Sequence, residues 1–460
     1  MTEMSTTDWI RYPETEGFVA AMLEEYVEAF DPARALTEDL LERTGCQLID
    51  WLDHLVVADG DRPLGQLVDL GFEPEGVEAD AGDTVYYHPG AIFPRVVLRS
   101  QTGAKPGTVL AAAIQVEDIV FFQMTHHISA PTEGSILSPY RRSRIWQGGG
   151  RELLAVERRG HTGFVPTEMP ADYPQRYLRA FEAWATRPRD FEDPQQGMKE
   201  ALALTQSLVS EMGTNTAAWM TFAAEREHWQ RRNWAAQVQK ARQDSLGLGW
   251  ANHDHHTFRS SRSVFPQLIE ILETLGFHPR ERFYAGAEAG WGAQVMEQPV
   301  CRFAVFADAD FSPDEVEGDF AHRPLAPRHE LGTVGLWCAL HGESMLGAGL
   351  HHLAGRFVFD AVTEDLAEQD IKTMHPFSEF PYLKQAFTEG ERWQIAVERL
   401  ARLAGSKQIS EAQGQQVAEQ GAIGSHLENI QRAEGFKGFN QQRISDIIRR
   451  TDPRAGLDGP

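Results

Sequence analysis

Residues 252–260 read NHDHHTFRS. Histidine, aspartate and arginine packed this closely offer metal ligation, proton transfer and capture of a carboxylate. Alternate residues of a strand share a face. His253, His255, Thr257 and Arg259 therefore fall on one side, with His256 and Phe258 on the other. Four strand steps put His255 and Arg259 about 13 Å apart. That span suits a small acid, with a metal at one end and a guanidinium on a carboxylate at the other.

One imidazole does not make a metal site. A reactive centre with open coordination positions wants two neutral imidazoles and a carboxylate on one side. An internal repeat nominates the second imidazole. The segments DHLVVADGDRPLGQLVDLGFEP, from Asp53, and DHHTFRSSRSVFPQLIEILETLGFHP, from Asp254, share one plan. Each runs Asp-His, strand, amphipathic helix, Leu-Gly-Phe, strand. His54 is thus the counterpart of His255, and two units facing across a pseudo-twofold would line one cavity with both. The strand RELLAVERRG offers Glu157 as the carboxylate, on the face of Leu153, Ala155 and Arg159, with Glu152 on the opposite face as the alternative. His126 and His127, in QMTHHISAP, form a competing pair of imidazoles. His351 and His352, in GAGLHHLAG, form another, read here as packing. His88, in YYHPGAIFPR, is a candidate to line the pocket.

The elements that would position these groups follow from periodicity. Two N-terminal helices occupy 1–45. A first β-rich unit follows over 46–170. Amphipathic helices fill 171–248, where Trp, Phe and Leu recur at helical spacing. A second β-rich unit spans 249–383, and a polar, mostly helical region closes the chain over 384–460. The class is α+β: two β-α-β-β-β units forming a mixed, barrel-like sheet around a pocket, with a helical insert and a helical C-terminal region.

The totals exclude several functions. A formal net charge of −24 over 460 residues opposes binding to nucleic acid or an anionic membrane. No apolar run approaches the ~18 residues of a membrane span. The N-terminus lacks a basic segment followed by an apolar one, so no signal peptide is expected. Three widely spaced cysteines suit a reducing cytoplasm rather than a disulfide framework. The glycine patterns of dinucleotide and phosphate sites, the zinc-protease helix and the serine nucleophile elbow are all missing.

The stretch DHHTFRSS…LIEILETLGFHPRERF…PVCRFAVFAD resembles the vicinal-oxygen-chelate superfamily. More narrowly it is similar to the 2-oxoadipate dioxygenase/decarboxylase (hydroxyglutarate synthase) family. His255 and Arg259 match that family's His-x-x-x-Arg strand, Asp53-His54-Leu55 its second histidine strand, and LLAVERRG with Glu157 its last strand. The order differs, because here the His/Arg strand comes after the other two. The resemblance implies a mononuclear Fe(II) enzyme with His54, His255 and Glu157 as ligands. It implies a 2-oxo acid and dioxygen as partners, with oxidative decarboxylation and hydroxylation of the 2-oxoadipate to 2-hydroxyglutarate kind. Arg259 would hold a substrate carboxylate, with Thr257 and His88 lining the site. Two rivals keep the fold: another metal-dependent lyase, isomerase or ring-cleaving dioxygenase, and a non-catalytic small-molecule-binding protein. Self-association is left open.

Overall fold

The structure, a computed structural model, describes residues 9–440 apart from 288 and 317, and residues 452–454. Its strands form two sheets. The first contains β1 (Leu52–Ala58), β2 (Glu73–Pro74), β3 (Asp83–Tyr87), β4 (Arg95–Arg99), β5 (Val109–Gln115), β6 (Thr132–Glu133), β7 (Tyr140–Gly148) and β8 (Arg151–Arg158), in the order β2-β3-β4-β1-β5-β8-β7-β6. The second contains β9 (His253–Arg259), β10 (His278–Tyr284), β11 (Trp291–Gln298), β12 (Phe303–Asp310), β13 (His352–Arg356), β14 (Ser378–Phe380), β15 (Leu383–Phe387), β16 (Glu391–Trp393) and β17 (Ala422–Arg432). Its order is β10-β11-β12-β9-β13-β17-β15-β14, with β16 pairing β17 at one side.

The two orders match strand for strand, and so do the directions. β1 runs parallel to β4 and antiparallel to β5, as β9 does to β12 and β13. β5 runs parallel to β8, as β13 does to β17. Each sheet is itself a pair of β-α-β-β-β units. In the first, β1 to β4 enclose the helix Asp61–Asp69, and β5 to β8 enclose Ile119–Thr125. In the second, β9 to β12 enclose Phe265–Thr274, and β13 to β17 enclose Phe359–Ala367 and two further helices, Val397–Gly405 and Glu411–Gln420. The α+β class and the unit type agree with the sequence reading. Partner units, however, meet within a sheet, so the repeat from Asp53 to Asp254 relates whole sheets.

The Leu-Gly-Phe signature ends its helix the same way in both sheets. Gly71 and Gly276 adopt left-handed backbone, φ 86° and 80°. The amide of Phe72 reaches the carbonyl of Leu67 at 2.9 Å, and that of Phe277 reaches Leu272 at 3.1 Å. These are Schellman closures, which a residue with a Cβ would strain.

The expected N-terminal helices are Pro13–Glu28 and Asp31–Thr44, and the insert contains Tyr173–Ala185, Pro194–Met212, Thr214–Gln230 and Trp234–Asp244. Helix Thr214–Gln230 packs behind β9, where Phe222 stacks against His256 and Phe258 in edge-to-face contacts. This fixes the strand's two faces, with His256 toward the helix and His255 toward the sheet's concave side. The region after 383 departs from the helical reading. Strands β15, β16 and β17 complete the second sheet through Arg432, and only the two helices between β16 and β17 match expectation. The stretch 441–451, also read as helical, lies outside the described residues. No helix of the described residues is long and apolar enough to cross a membrane.

Candidate metal centre

Three side chains converge on the concave face of the second sheet. Register places them: Thr257 of β9 pairs His352 of β13, and His255 pairs Ala354, which pairs Glu428 of β17. Glu428 Oε2 lies 3.0 Å from His255 Nε2 and 3.1 Å from His352 Nε2. All three residues are buried, and their ligand atoms lie within 4.8 Å of one another. Among the described residues no other trio of His, Cys, Asp or Glu meets this condition. Metal bonds of about 2.1 Å at right angles leave neighbouring ligand atoms about 3.0 Å apart, the spacing of each imidazole from Glu428. Two imidazoles and one carboxylate are the donor set of a facial triad, so the residues fit a divalent ion of the iron type.

Neighbours orient His255 and Glu428, whereas His352 is touched on its cluster-facing nitrogen. His255 Nδ1 contacts Asp254 at 3.0 Å, which turns Nε2 into the cavity. Arg432, also on β17, grips Asp254 through Nε at 2.7 Å and Nη2 at 2.9 Å. Gln385 donates to Glu428 Oε1 at 2.8 Å, leaving Oε2 for the cluster. Thr257 Oγ1 lies 2.9 Å from His352 Nε2. Phe439 meets the His255 ring edge-on at 4.9 Å. Burial disfavours the charged form of every member, but mutual attraction wins for two. Glu428 and Asp254 outweigh burial and raise His255 to about 9, while His255 and His352 hold Glu428 down at about 2. Burial prevails at His352, which is shifted toward the neutral ring.

The cavity beside the trio, about 70 Å³, is walled by Phe283, Trp291, Phe306, Phe377, Phe387 and Phe439. Arg259 and Asp308 supply polar groups to it. Arg259 Nε stands 3.9 Å from Asp308 Oδ2, and its Nε and Nη1, like Asp308 Oδ1, are buried without a hydrogen-bond partner. Burial pushes Asp308 up to about 7 and draws Arg259 down, each opposed by the other's charge.

Of the residues expected at the site, His255, Thr257 and Arg259 line this cavity. His54 and Glu157 do not join His255. His54 occupies β1 of the first sheet, with Nδ1 2.7 Å from Asp53. Glu157 is saturated: the Ile119 amide donates at 2.6 Å, Arg141 at 3.1 Å and Arg159 at 2.5 Å. It lies one residue before Arg158, whereas Glu428 lies four before the corresponding Arg432, so the two carboxylates project from opposite faces of matching strands. Glu152 pairs Arg144 at 3.3 Å. His126 contacts the Leu246 carbonyl at 3.0 Å and packs on Phe122 and Trp146, and His127 turns with φ 55°. His88 packs among Tyr12, Phe72 and Phe93 by the first sheet, away from the cavity.

Sequence reading weighed His352 in a pair with His351 and set it aside, and it passed over Glu428. A usable signal existed for the glutamate. Aligning LLAVER and LENIQR on Arg158 and Arg432 would have marked AIGSHLENIQR as the partner of the RELLAVERRG strand.

No protein-family model matches the chain, and no curated protein matches it. Solved structures give slight likenesses. A mutant 4-hydroxymandelate synthase from Streptomyces coelicolor has TM-score 0.24 and 13% identity, covering 89% of this chain and 98% of that one. A xylose isomerase-like TIM barrel/4-hydroxyphenylpyruvate dioxygenase fusion protein has TM-score 0.24 and 11% identity, over 89% and 53%. Methylmalonyl-CoA epimerase from Mycobacterium tuberculosis has TM-score 0.23 and 14% identity, over 39% and 87%. These structures are members of the vicinal-oxygen-chelate superfamily, the one that the sequence resembles.

Proposed function

We propose that the protein is a mononuclear Fe(II) dioxygenase acting on a 2-oxo acid, with His255, His352 and Glu428 as the ligands. The convergence of two imidazole nitrogens on one carboxylate oxygen, at 3.0 and 3.1 Å, carries this reading. Iron, when bound, supplies coordination positions for the 2-oxo carboxylate and dioxygen, and with them decarboxylation and hydroxylation. The chain's own groups do the rest. Asp254 and Gln385 hold the ligands in place. The aromatic walls exclude water and receive the apolar part of the substrate. Arg259, buried with two unpartnered donors, receives a carboxylate remote from the metal, as in conversion of 2-oxoadipate to 2-hydroxyglutarate.

The six aromatic walls favour a second reading, in which the same centre serves a ring-cleaving dioxygenase with an aromatic substrate. One experiment separates the two. Protein reconstituted anaerobically with Fe(II) is mixed with a panel of 2-oxo acids or catechols, and oxygen uptake and carbon dioxide release are followed. Equimolar oxygen and carbon dioxide with a 2-oxo acid are expected. Oxygen uptake with catechols alone favours the second reading, and folded protein that takes up no divalent metal overturns both.

A further inference from the structure

We infer that His351 is a substrate-contacting hydrogen-bond donor whose protonation site is set by the metal through His352. The inference rests on the metal reading above and adds a residue to it. His351 stands just ahead of β13, with its amide on the Thr257 carbonyl at 2.9 Å and its carbonyl accepting from the His426 amide at 3.3 Å. Its backbone is thus pinned between β9 and β17, and Trp337 meets its ring edge-on at 5.6 Å. The ring lines the same cavity as Arg259.

Two observations fix the direction of its proton. His351 Nδ1 and His352 Nδ1 lie 3.0 Å apart, and His351 Nε2 is buried with no partner. A neutral imidazole carries one N–H, and the nitrogen bound to a metal cannot carry it. With His352 Nε2 ligated, His352 Nδ1 must hold its proton. Facing that N–H at hydrogen-bond distance, His351 Nδ1 must accept, because two N–H groups cannot point at each other. His351 then holds its proton on Nε2. Ligation therefore turns the orphaned nitrogen of His351 into a donor on a ring that lines the cavity beside the centre, where a carbonyl or carboxylate oxygen of the substrate would satisfy it. The sheet's own hydrogen bonds hold the donor, so substrate binding need not order it.

The test uses Zn(II)-loaded full-length protein labelled with 15N at histidine, its metal content measured first. The His351 resonances are assigned by comparison with the His351→Phe variant. A proton on Nε2 of His351 is expected, and a proton on Nδ1 in metal-loaded protein overturns the relay while leaving the metal site standing. Absence of metal uptake by the unmodified protein overturns the site and the relay together. A second measurement follows the visible charge-transfer absorption of 2-oxoadipate on anaerobic Fe(II)-loaded protein. His351→Phe retains its metal and binds the acid about tenfold more weakly, the loss of one hydrogen bond. Equal binding by the two proteins overturns the contact.

Discussion

The first and second sheets share a frame and differ at its centre. In each, the strand-opening aspartate holds the next histidine by Nδ1, at 2.7 Å for Asp53 and His54 and 3.0 Å for Asp254 and His255. In each, an arginine grips that aspartate through Nε and Nη2, Arg158 in one and Arg432 in the other. In each, that arginine lies over a phenylalanine, Phe164 at 4.7 Å and Phe439 at 4.8 Å. The registers then diverge. Where the second sheet has His352 and Glu428, the first has Ala111 and Leu154. Its concave side is filled by Val56, Val85, Val97, Tyr140 and Val156. The Asp-His-Arg frame therefore serves packing as readily as it serves a centre. The cation needs the two donors that only one sheet carries, and a cavity beside them.

The largest effect should come from making the second sheet like the first. Glu428→Leu, which copies Leu154, is expected to fold and to lose bound metal by more than the ~100-fold that loss of a supporting group produces. Metal content and thermal melting measured together check this, and retained metal would break the contrast. Next is the reverse case, a glutamate with no metal role. Glu157→Ala strands Arg141 and Arg159 and should cost about 3–5 kcal/mol of stability with metal content unchanged, as urea unfolding and metal analysis would show. Third, Asp254→Asn should weaken metal binding about 10–100-fold, while Asp53→Asn should lower stability alone. Equal metal loss in both variants would mean that the sheets are functionally coupled.

The smallest effect, taken per pH unit, is that of pH. In the metal-free protein His255 is raised from 6.5 to about 9 by Glu428 and Asp254, against burial. Its contribution to stability is therefore fully present below pH 6.5 and lost as pH climbs through about 9. A metal must displace that proton, so its affinity should move the other way, rising by at most about tenfold per pH unit across the same window. Titration with Zn(II) at several pH values reads this directly, and Asp254→Asn should narrow the window.

Much of the frame was legible because it is local. Asp-His at the head of a strand, and Leu-Gly-Phe at the end of its helix, are fixed by neighbours within a few residues. They recur because both sheets need them. The His-x-x-x-Arg spacing likewise put His255 and Arg259 on one face without any knowledge of the fold. The other two donors come from distant pairings. β13 and β17 are adjacent in space but separated along the chain by three strands and three helices, and nothing local to Glu428 marks its neighbour. The repeat was real, but it related sheets rather than the halves of one cavity, so it nominated the wrong partner strand for His255. The polar composition after residue 384 also hid the strand carrying Glu428, since that strand is flanked by a helix with a capping box at Ser410.

The place of β17 in the sheet sets an order in time. It is the last strand of its sheet in the chain, yet it sits between β13 and β15. A chain emerging from its N-terminus can finish the first sheet early, from strands that all end by Arg158. The second sheet waits until Ala422–Arg432 slides into its middle. Until then His255 and His352 have no carboxylate, and the β14–β15 hairpin has no place to dock. Competence to hold a metal should thus arrive in one step, late in synthesis, and a chain stopped at Gln420 should carry two of the three donors on an open sheet edge.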